Sequence, residues 1–330
     1  MQKIILCMAL LGLSMGLRAQ DDEVFNPDDY NDASTVKKYC TQKTLNQTPT
    51  KLIGLGFEMN SGFKNNNPTH AQSFSGMGGL RAQANFLVIS TNKLIISAGG
   101  TYWGTKFFTK DPIALSPDDM NQLYKNNIYN LGANATMFKP LDEKHFIIVQ
   151  GNIESAFTPD AGKIDNIKKS IYYYASAFYG WKKGDYRMIG VGISRTYRLG
   201  RPDPVVIPVL LYNRTFNDHW GIEAIFPARA HVRYNFSTNS MLLGGFELEG
   251  QQVDLVNSNN FLQRGEIKPR LVFEQRLKGF FWLSLQAGYR VNGRFNLVDE
   301  YNGDQEVNEI FKNNWGGSPY VNFSINFVSP

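Results

Sequence analysis

Oily and wet side chains alternate along this chain at a period of two. In Ala230-His231-Val232-Arg233-Tyr234-Asn235-Phe236 the even positions are apolar and the odd positions polar, as in a strand with one face in oil and the other in water. The next segment places Leu242, Gly244, Phe246 and Leu248 opposite Leu243, Gly245, Glu247, Glu249 and Gln251. Near the end, Pro269, Leu271 and Phe273 alternate with Lys268, Arg270, Val272, Glu274 and Arg276, and Leu283, Leu285, Ala287 and Tyr289 with Trp282, Ser284, Gln286, Gly288 and Arg290. This periodicity predicts strands over 52–61, 77–90, 93–103, 128–138, 145–155, 170–181, 186–197, 205–215, 219–226, 229–237, 240–250, 265–277, 280–291 and 319–328.

The connections alternate in length. Short turns fit at 90–92, 140–144, 182–185, 216–218, 237–239 and 278–279, and longer polar stretches at 62–76, 104–127, 156–169, 251–264 and 292–318. Such alternation is that of an all-β, transmembrane antiparallel β-barrel with short periplasmic turns and longer extracellular loops, both termini facing the periplasm. Fourteen strands are preferred. Twelve is the alternative, because 219–226 and 229–237 share only a tight Pro227-Ala228 connection and part of that segment could bend inward.

Burying charge in lipid costs roughly 2–4 kcal/mol at the bilayer midplane, so the charged rows are assigned to the lumen. They comprise Glu58, Arg81, Glu154, Arg195, Arg214, Glu223, His231, Arg233, Glu247, Glu249, Arg270, Glu274, Arg276 and Arg290. Two readings compete: a solute path lined by these groups, and a charge-paired interior that packs a narrow or plugged barrel. The ring-rich YYYASAFYGW at 172–181, with Tyr197, Trp220, Tyr234, Phe246, Trp282 and Tyr289, suits the aromatic girdles of a membrane interface.

Composition changes this picture little. Aromatics at 13% and 30 glycines suit a turn-rich β architecture, and a net charge of +5 without a basic block argues against nucleic acid as partner. The first residues matter more. Lys3, the apolar run Ile4–Leu17 and Arg18-Ala19-Gln20 read as a signal peptide over 1–19, cut after Ala19, since that run is shorter than the roughly 20 residues of a spanning helix. Residues 20–50 form a periplasmic or luminal extension, and 51–330 the outer-membrane barrel. Cys7 leaves with the signal and Cys40 remains as a passive residue, without a disulfide framework.

The four histidines, His70, His145, His219 and His231, lack metal-ligand spacing. No catalytic residue, metal or cofactor is assigned. His219 with Glu223, or His231 with Glu247, could form base-and-acid pairs in an outer-membrane hydrolase, and each is weighed below a structural role.

Three features carry a family resemblance: the Ala-Gln cleavage region, Gly221-Ile222-Glu223-Ala224-Ile225-Phe226-Pro227 followed by Arg233-Tyr234, and Leu243-Gly244-Gly245-Phe246-Glu247-Leu248-Glu249-Gly250. On these the chain resembles a DUF6268-like outer-membrane β-barrel family of Bacteroidota, with Phe226 standing where leucine is expected. The resemblance implies a barrel in the outer membrane and transfers no substrate or catalytic residue. The expected function is a channel for small hydrophilic or amphipathic solutes, with Arg233, Arg270, Glu247, Glu249 and Glu274 at its constriction. The alternative is a non-conducting structural or surface-interaction barrel. Expected partners are outer-membrane lipid and lipopolysaccharide, the outer-membrane assembly machinery and a small solute.

Overall fold

In the computed structural model, which describes residues 39–64, 73–109, 127–158, 170–197, 204–255, 260–299, 309–311 and 316–329, the alternating rows become strands. The expected signal peptide and residues 20–38 of the extension lie outside the described residues. The strands are β1 (Lys51–Lys64), β2 (Ser73–Thr91), β3 (Leu94–Thr109), β4 (Ile128–Pro140), β5 (His145–Phe157), β6 (Ile171–Lys183), β7 (Arg187–Tyr197), β8 (Val205–Thr215), β9 (Trp220–Phe226), β10 (Arg229–Ser237), β11 (Ser240–Asp254), β12 (Asn260–Lys278), β13 (Phe281–Asp299), β14 (Glu309–Phe311) and β15 (Ser318–Val328). Consecutive strands pair antiparallel, and β15 pairs with both β13 and β1. Fourteen described strands thus close a barrel, and the three-residue β14 pairs with β13 at Leu297 and Val298, beyond the end of its ladder with β15.

Closure leaves the oily rows facing outward. On β1, Ile53, Leu55, Phe57 and Met59 are exposed while Gly54, Gly56, Glu58 and Asn60 between them are buried. β10 repeats this with exposed Val232 and Phe236, and β15 with exposed Val321, Phe323 and Ile325. A continuous apolar exterior over a polar interior is what a bilayer requires of a barrel. Apart from the Pro227-Ala228 connection, the tight turns share one end of the barrel with both described chain ends, and Gly184 and Gly279 take the left-handed φ of 57° that two of these turns need.

The β9–β10 segment belongs to the wall, which decides for fourteen strands. β9 pairs with β8 from Leu210↔Phe226 to Thr215↔Gly221, and β10 pairs with β11 from Arg229↔Glu247 to Ser237↔Ser240. This hairpin is short, and its tip at Pro227-Ala228 stops below its neighbours. β8 from Val205 to Val209 has no ladder partner on β9, nor does β11 above Leu248 have one on β10. The last residue of β11, Asp254, instead bridges in parallel to Phe157 at the end of β5.

β11, β12 and β13 run further than the period-two pattern predicts. The stretches 251–254, 260–264 and 292–299, read as loop from sequence, continue the ladders. Side chains of 251–254 and 296–298 no longer alternate because both sides are packed: Val253, Leu255, Leu262 and Leu297 join Phe63, Phe74, Met77, Phe107, Ile128, Ala156 and Tyr172 in an apolar core at the loop end. Strands from opposite walls meet there, so this end of the lumen is filled. At the turn end Cys40 packs with Phe138, Phe146, Phe178, Met188 and Leu211, while Met241, Leu243, Val272, Trp282 and Val328 form a second cluster. Trp282 therefore points into the barrel, not toward the membrane interface.

Candidate functional site

Below the loop-end core lies a layer of buried charge. Lys268, fully buried, donates to Glu58 at 3.0 Å and Glu249 at 2.7 Å and stands 3.8 Å from Glu266. Arg81 reaches Glu58 at 2.5 Å, and its guanidinium carbon lies 3.5 Å from the centre of the Trp103 ring. Arg264 grips Glu266 with Nε at 2.7 Å and Nη2 at 3.1 Å, with Arg290 at 3.6 Å from the same carboxylate. Four cations thus share three carboxylates, in contacts that replace the water lost on burial.

Sequence reasoning placed Glu58, Arg81, Glu249 and Arg290 in the lumen, with Lys268 on the same charged row as Arg270, but left Arg264, Glu266 and Trp103 out of the site. Arg264 and Glu266 extend upward the same row as Lys268 and Arg270. Following the parity of β12 past the edge of the apolar alternation finds them.

The middle of the barrel is a cavity of 1190 Å³. One side is polar, with Gln83, Thr101, Gln150, Gln286, Asn322 and Asn326, and the side beside the β9–β10 tip carries Phe178, Ile207, Val209 and Ile225. Glu154 accepts from Asn130 at 2.9 Å and from Tyr172 and Asn152. Glu247 pairs with Arg270, whose Nε donates to His231 Nε2 at 3.2 Å. Because a guanidinium can only donate, His231 carries its proton on Nδ1. Pro227, Ala228 and Arg229 also line the cavity, so it reaches the gap above the short hairpin.

Toward the turn end the chain ahead of β1 enters the barrel. Cys40 N–H donates to the Asp142 carbonyl at 3.0 Å and Leu45 N–H to that of Asp185 at 2.7 Å. Lys182, buried, donates to the Lys43 carbonyl at 2.7 Å, and Thr215 Oγ1 to the Leu45 carbonyl at 2.6 Å. Glu223 accepts from Arg233 at 2.9 Å and from the N–H and Oγ1 of Thr48 at 3.0 and 2.9 Å. Glu274 joins Lys51 at 2.7 Å and Ser284 at 2.9 Å. Residues 40–48 of the extension are thus hydrogen-bonded to side chains and turns at this end of the barrel.

Burial pushes the Lys43 ammonium, in this segment, down to about 8, with Glu223 opposing the shift. A docked lysine that holds its proton less tightly than a free one makes protonation oppose docking. That opposition is full below about 8 and withdrawn as pH rises toward the free value of 10.5. Hydrogen exchange of amides 40–48 is expected, after correction for intrinsic rates, to show protection rising between pH 8 and 10.5, and Lys43→Met to remove that rise. A flat wild-type profile would refute this linkage.

Not every charge assigned to the lumen is there. Arg195 is exposed on the row of Val191 and Ile193, whereas its neighbours Ser194 and Thr196 line the cavity. Arg214 shares the outward row of Val206 and Leu210 and lies over the Phe216 ring at 4.7 Å. Both stand near strand ends, where an outward charge reaches headgroups and costs only about 0–1 kcal/mol. Arg276 has the inward parity but lies exposed at the turn-end rim, donating to the Gly279 carbonyl at 2.6 Å. His219 faces the Asn235 carbonyl at 2.8 Å, and Glu223 and Glu247 are taken by arginines, so neither base-and-acid pair is assembled.

The family model described as "Domain of unknown function (DUF6268)" matches residues 114–328, from ahead of β4 to the last residue of β15. The chain belongs to the DUF6268 family. A comparison with curated proteins returned no match. Among solved structures, this DUF6268 barrel is similar to a FadL homologue of Pseudomonas aeruginosa, at 9% identity and a TM-score of 0.43, over 84% of this chain and 90% of that one. It is similar to an outer-membrane channel of Pseudomonas putida F1, COG4313, at 12% identity and a TM-score of 0.39, over 84% and 97%. The toluene transporter TodX of Pseudomonas putida matches at 10% identity and a TM-score of 0.34, over 88% and 95%.

Proposed function

We propose that this DUF6268 protein is an outer-membrane barrel that admits a small amphipathic solute to its lumen through the side of the wall, with its turn end and both termini in the periplasm. The observation that carries the reading is the 1190 Å³ cavity, lined by polar residues together with the apolar group Phe178, Ile207, Val209 and Ile225, which reaches the gap above the β9–β10 tip. That volume is of the size that holds one small ligand. A standing water pore along the barrel axis is disfavoured, because apolar cores fill the loop end and the 39–48 segment with its own core fills the turn end. The luminal charges act in this reading as paired walls.

The saturated pairing of Glu58, Lys268, Glu249 and Glu266 also suits a barrel that is purely structural. One experiment separates the two. Purified protein in planar bilayers is expected to show no steady ionic conductance, while a solvatochromic amphiphile partitions into nanodisc-embedded barrel with a blue-shifted emission. Ala228→Trp, at the sill of the gap, is expected to slow that uptake at least about tenfold. Steady porin-like conductance would sink the side-entry reading, and absence of any saturable amphiphile uptake would leave the structural barrel.

A further inference from the structure

Charge around the cavity is not uniformly satisfied. Lys51, Arg81 and Arg264 each meet a carboxylate, in Glu274, Glu58 and Glu266. Glu247 and Glu249 meet Arg270 and Lys268, and Glu154 takes three neutral donors. Arg229 is different. It lines the cavity at the first position of β10, directly after the Pro227-Ala228 tip, is exposed to water, and makes no ion pair among the described residues. Its ladder partner Glu247 is already engaged by Arg270. Two guanidinium groups therefore stand against one carboxylate at the sill, and His231 and Tyr174 are the other titratable groups that Arg229 acts on.

Four apolar residues of the cavity stand on the same side. Ile207 and Val209 belong to the part of β8 that has no β9 partner, Ile225 precedes the hairpin tip by two residues, and Phe178 comes from β6. A cation at the entrance and an oily wall directly within it select for one chemistry. We infer that the cavity takes an anionic amphiphile from the membrane plane, its negative headgroup held by Arg229 and its apolar chain laid against Phe178, Ile207, Val209 and Ile225. This rests on the side-entry reading and deepens it by naming the ligand class. Binding an anion here lets Arg229 gain a charge-assisted hydrogen bond that no described residue supplies, and such bonds exceed neutral ones. A cationic amphiphile meets the opposite: the two carboxylates nearest the sill, Glu247 and Glu249, are already neutralised.

The test uses the full mature barrel in nanodiscs and three probes with one fluorophore: dansyl-labelled undecanoate, its methyl ester and the matching alkyl-trimethylammonium. Wild type is expected to bind the anion at least about tenfold more tightly than the ester, the yield of one charge-assisted contact, and the cation most weakly. Arg229→Gln is expected to erase the preference, lowering anion affinity much more than ester affinity. Arg229→Lys should retain most of it, and Arg214→Gln on the outer face all of it. Equal affinity for anion and ester in wild type, or a preference that survives Arg229→Gln, overturns the headgroup assignment and leaves the side-entry reading standing. Failure of every probe to bind wild type overturns both. Dansylglycine, which keeps the anion without the chain, is expected to bind at least about tenfold more weakly; equal binding would mean an aqueous anion site and overturn the membrane source.

Discussion

Replacing Lys268 with methionine is expected to destabilise the barrel by about 3–5 kcal/mol, the usual cost of removing one partner from a buried ionic cluster. Lys268 is fully buried and serves Glu58 at 3.0 Å, Glu249 at 2.7 Å and Glu266 at 3.8 Å. Without it Glu58 keeps Arg81 and Glu266 keeps Arg264, but Glu249 is left with Arg81 at 3.9 Å. The stranded charge is thus identifiable. Lys268→Met combined with Glu249→Gln should recover a large part of the loss, because the second change removes the unpaired carboxylate. Urea unfolding in detergent micelles, read by tryptophan fluorescence, measures both. Raising salt should not reproduce the effect, since ions screen buried pairs much less than exposed ones. A loss under about 1 kcal/mol for the single variant, the range of exposed pairs, would show that the network is not the packed layer described above.

The second large effect is expected at the other end, where the packing is apolar. Phe146 is fully buried, stacks on Phe138 with centroids 5.5 Å apart and sits beside Cys40. Its ring occupies the space over Gly180, where an added Cβ would come within 2.1 Å of Phe146 Cζ. Phe146→Ala should cost about 3–5 kcal/mol through lost contacts and the cavity left behind. Gly180→Ala should cost about 1–3 kcal/mol by overpacking the same spot. Joining Gly180→Ala to Phe146→Leu is expected to be less damaging than the sum of the two single changes, since the smaller side chain clears the added methyl. Cys40 supplies an independent readout. Its thiol is buried in the native protein, so maleimide labelling should accelerate in Phe146→Ala as the 39–48 segment loosens. Unchanged labelling would mean that the segment is held by its hydrogen bonds, those to Asp142, Asp185, Glu223, Lys182 and Thr215 among them, and not by packing on Phe146.

Much of this molecule was legible because a barrel wall imposes one rule at every position. The parity of Ala230–Phe236 placed His231 and Arg233 inside and Val232 and Phe236 outside, and the long-loop, short-turn rhythm supplied the topology. The rule weakened in three places. At Arg195 and Arg214 the assumption that charge goes inward failed, because strand ends lie at the depth where lipid-facing charge is cheap. In β11 and β13 alternation ended although pairing continued, because the side chains of 251–254 and 296–298 are enclosed by protein on both sides. Trp282 looked like an interface aromatic until Met241, Leu243 and Val272 were found around it.

What the amino-acid order determined alone was local: which residues form strands, which face of each strand is oily, and which connections are tight. Those follow from a two-residue repeat and turn chemistry, which each strand expresses by itself. Only the tertiary structure decided that Lys268 meets Glu58 across 210 residues of chain, that residues 39–48 occupy the turn end, and that the β9–β10 hairpin stops short between longer neighbours. Pairing partners across the lumen depend on how strands are staggered around a closed ring. A gap in the wall depends on the relative heights of strands distant in sequence. Neither quantity leaves a periodic trace in any single strand, so the cavity and the position of Arg229 beside it follow only from the closed ring.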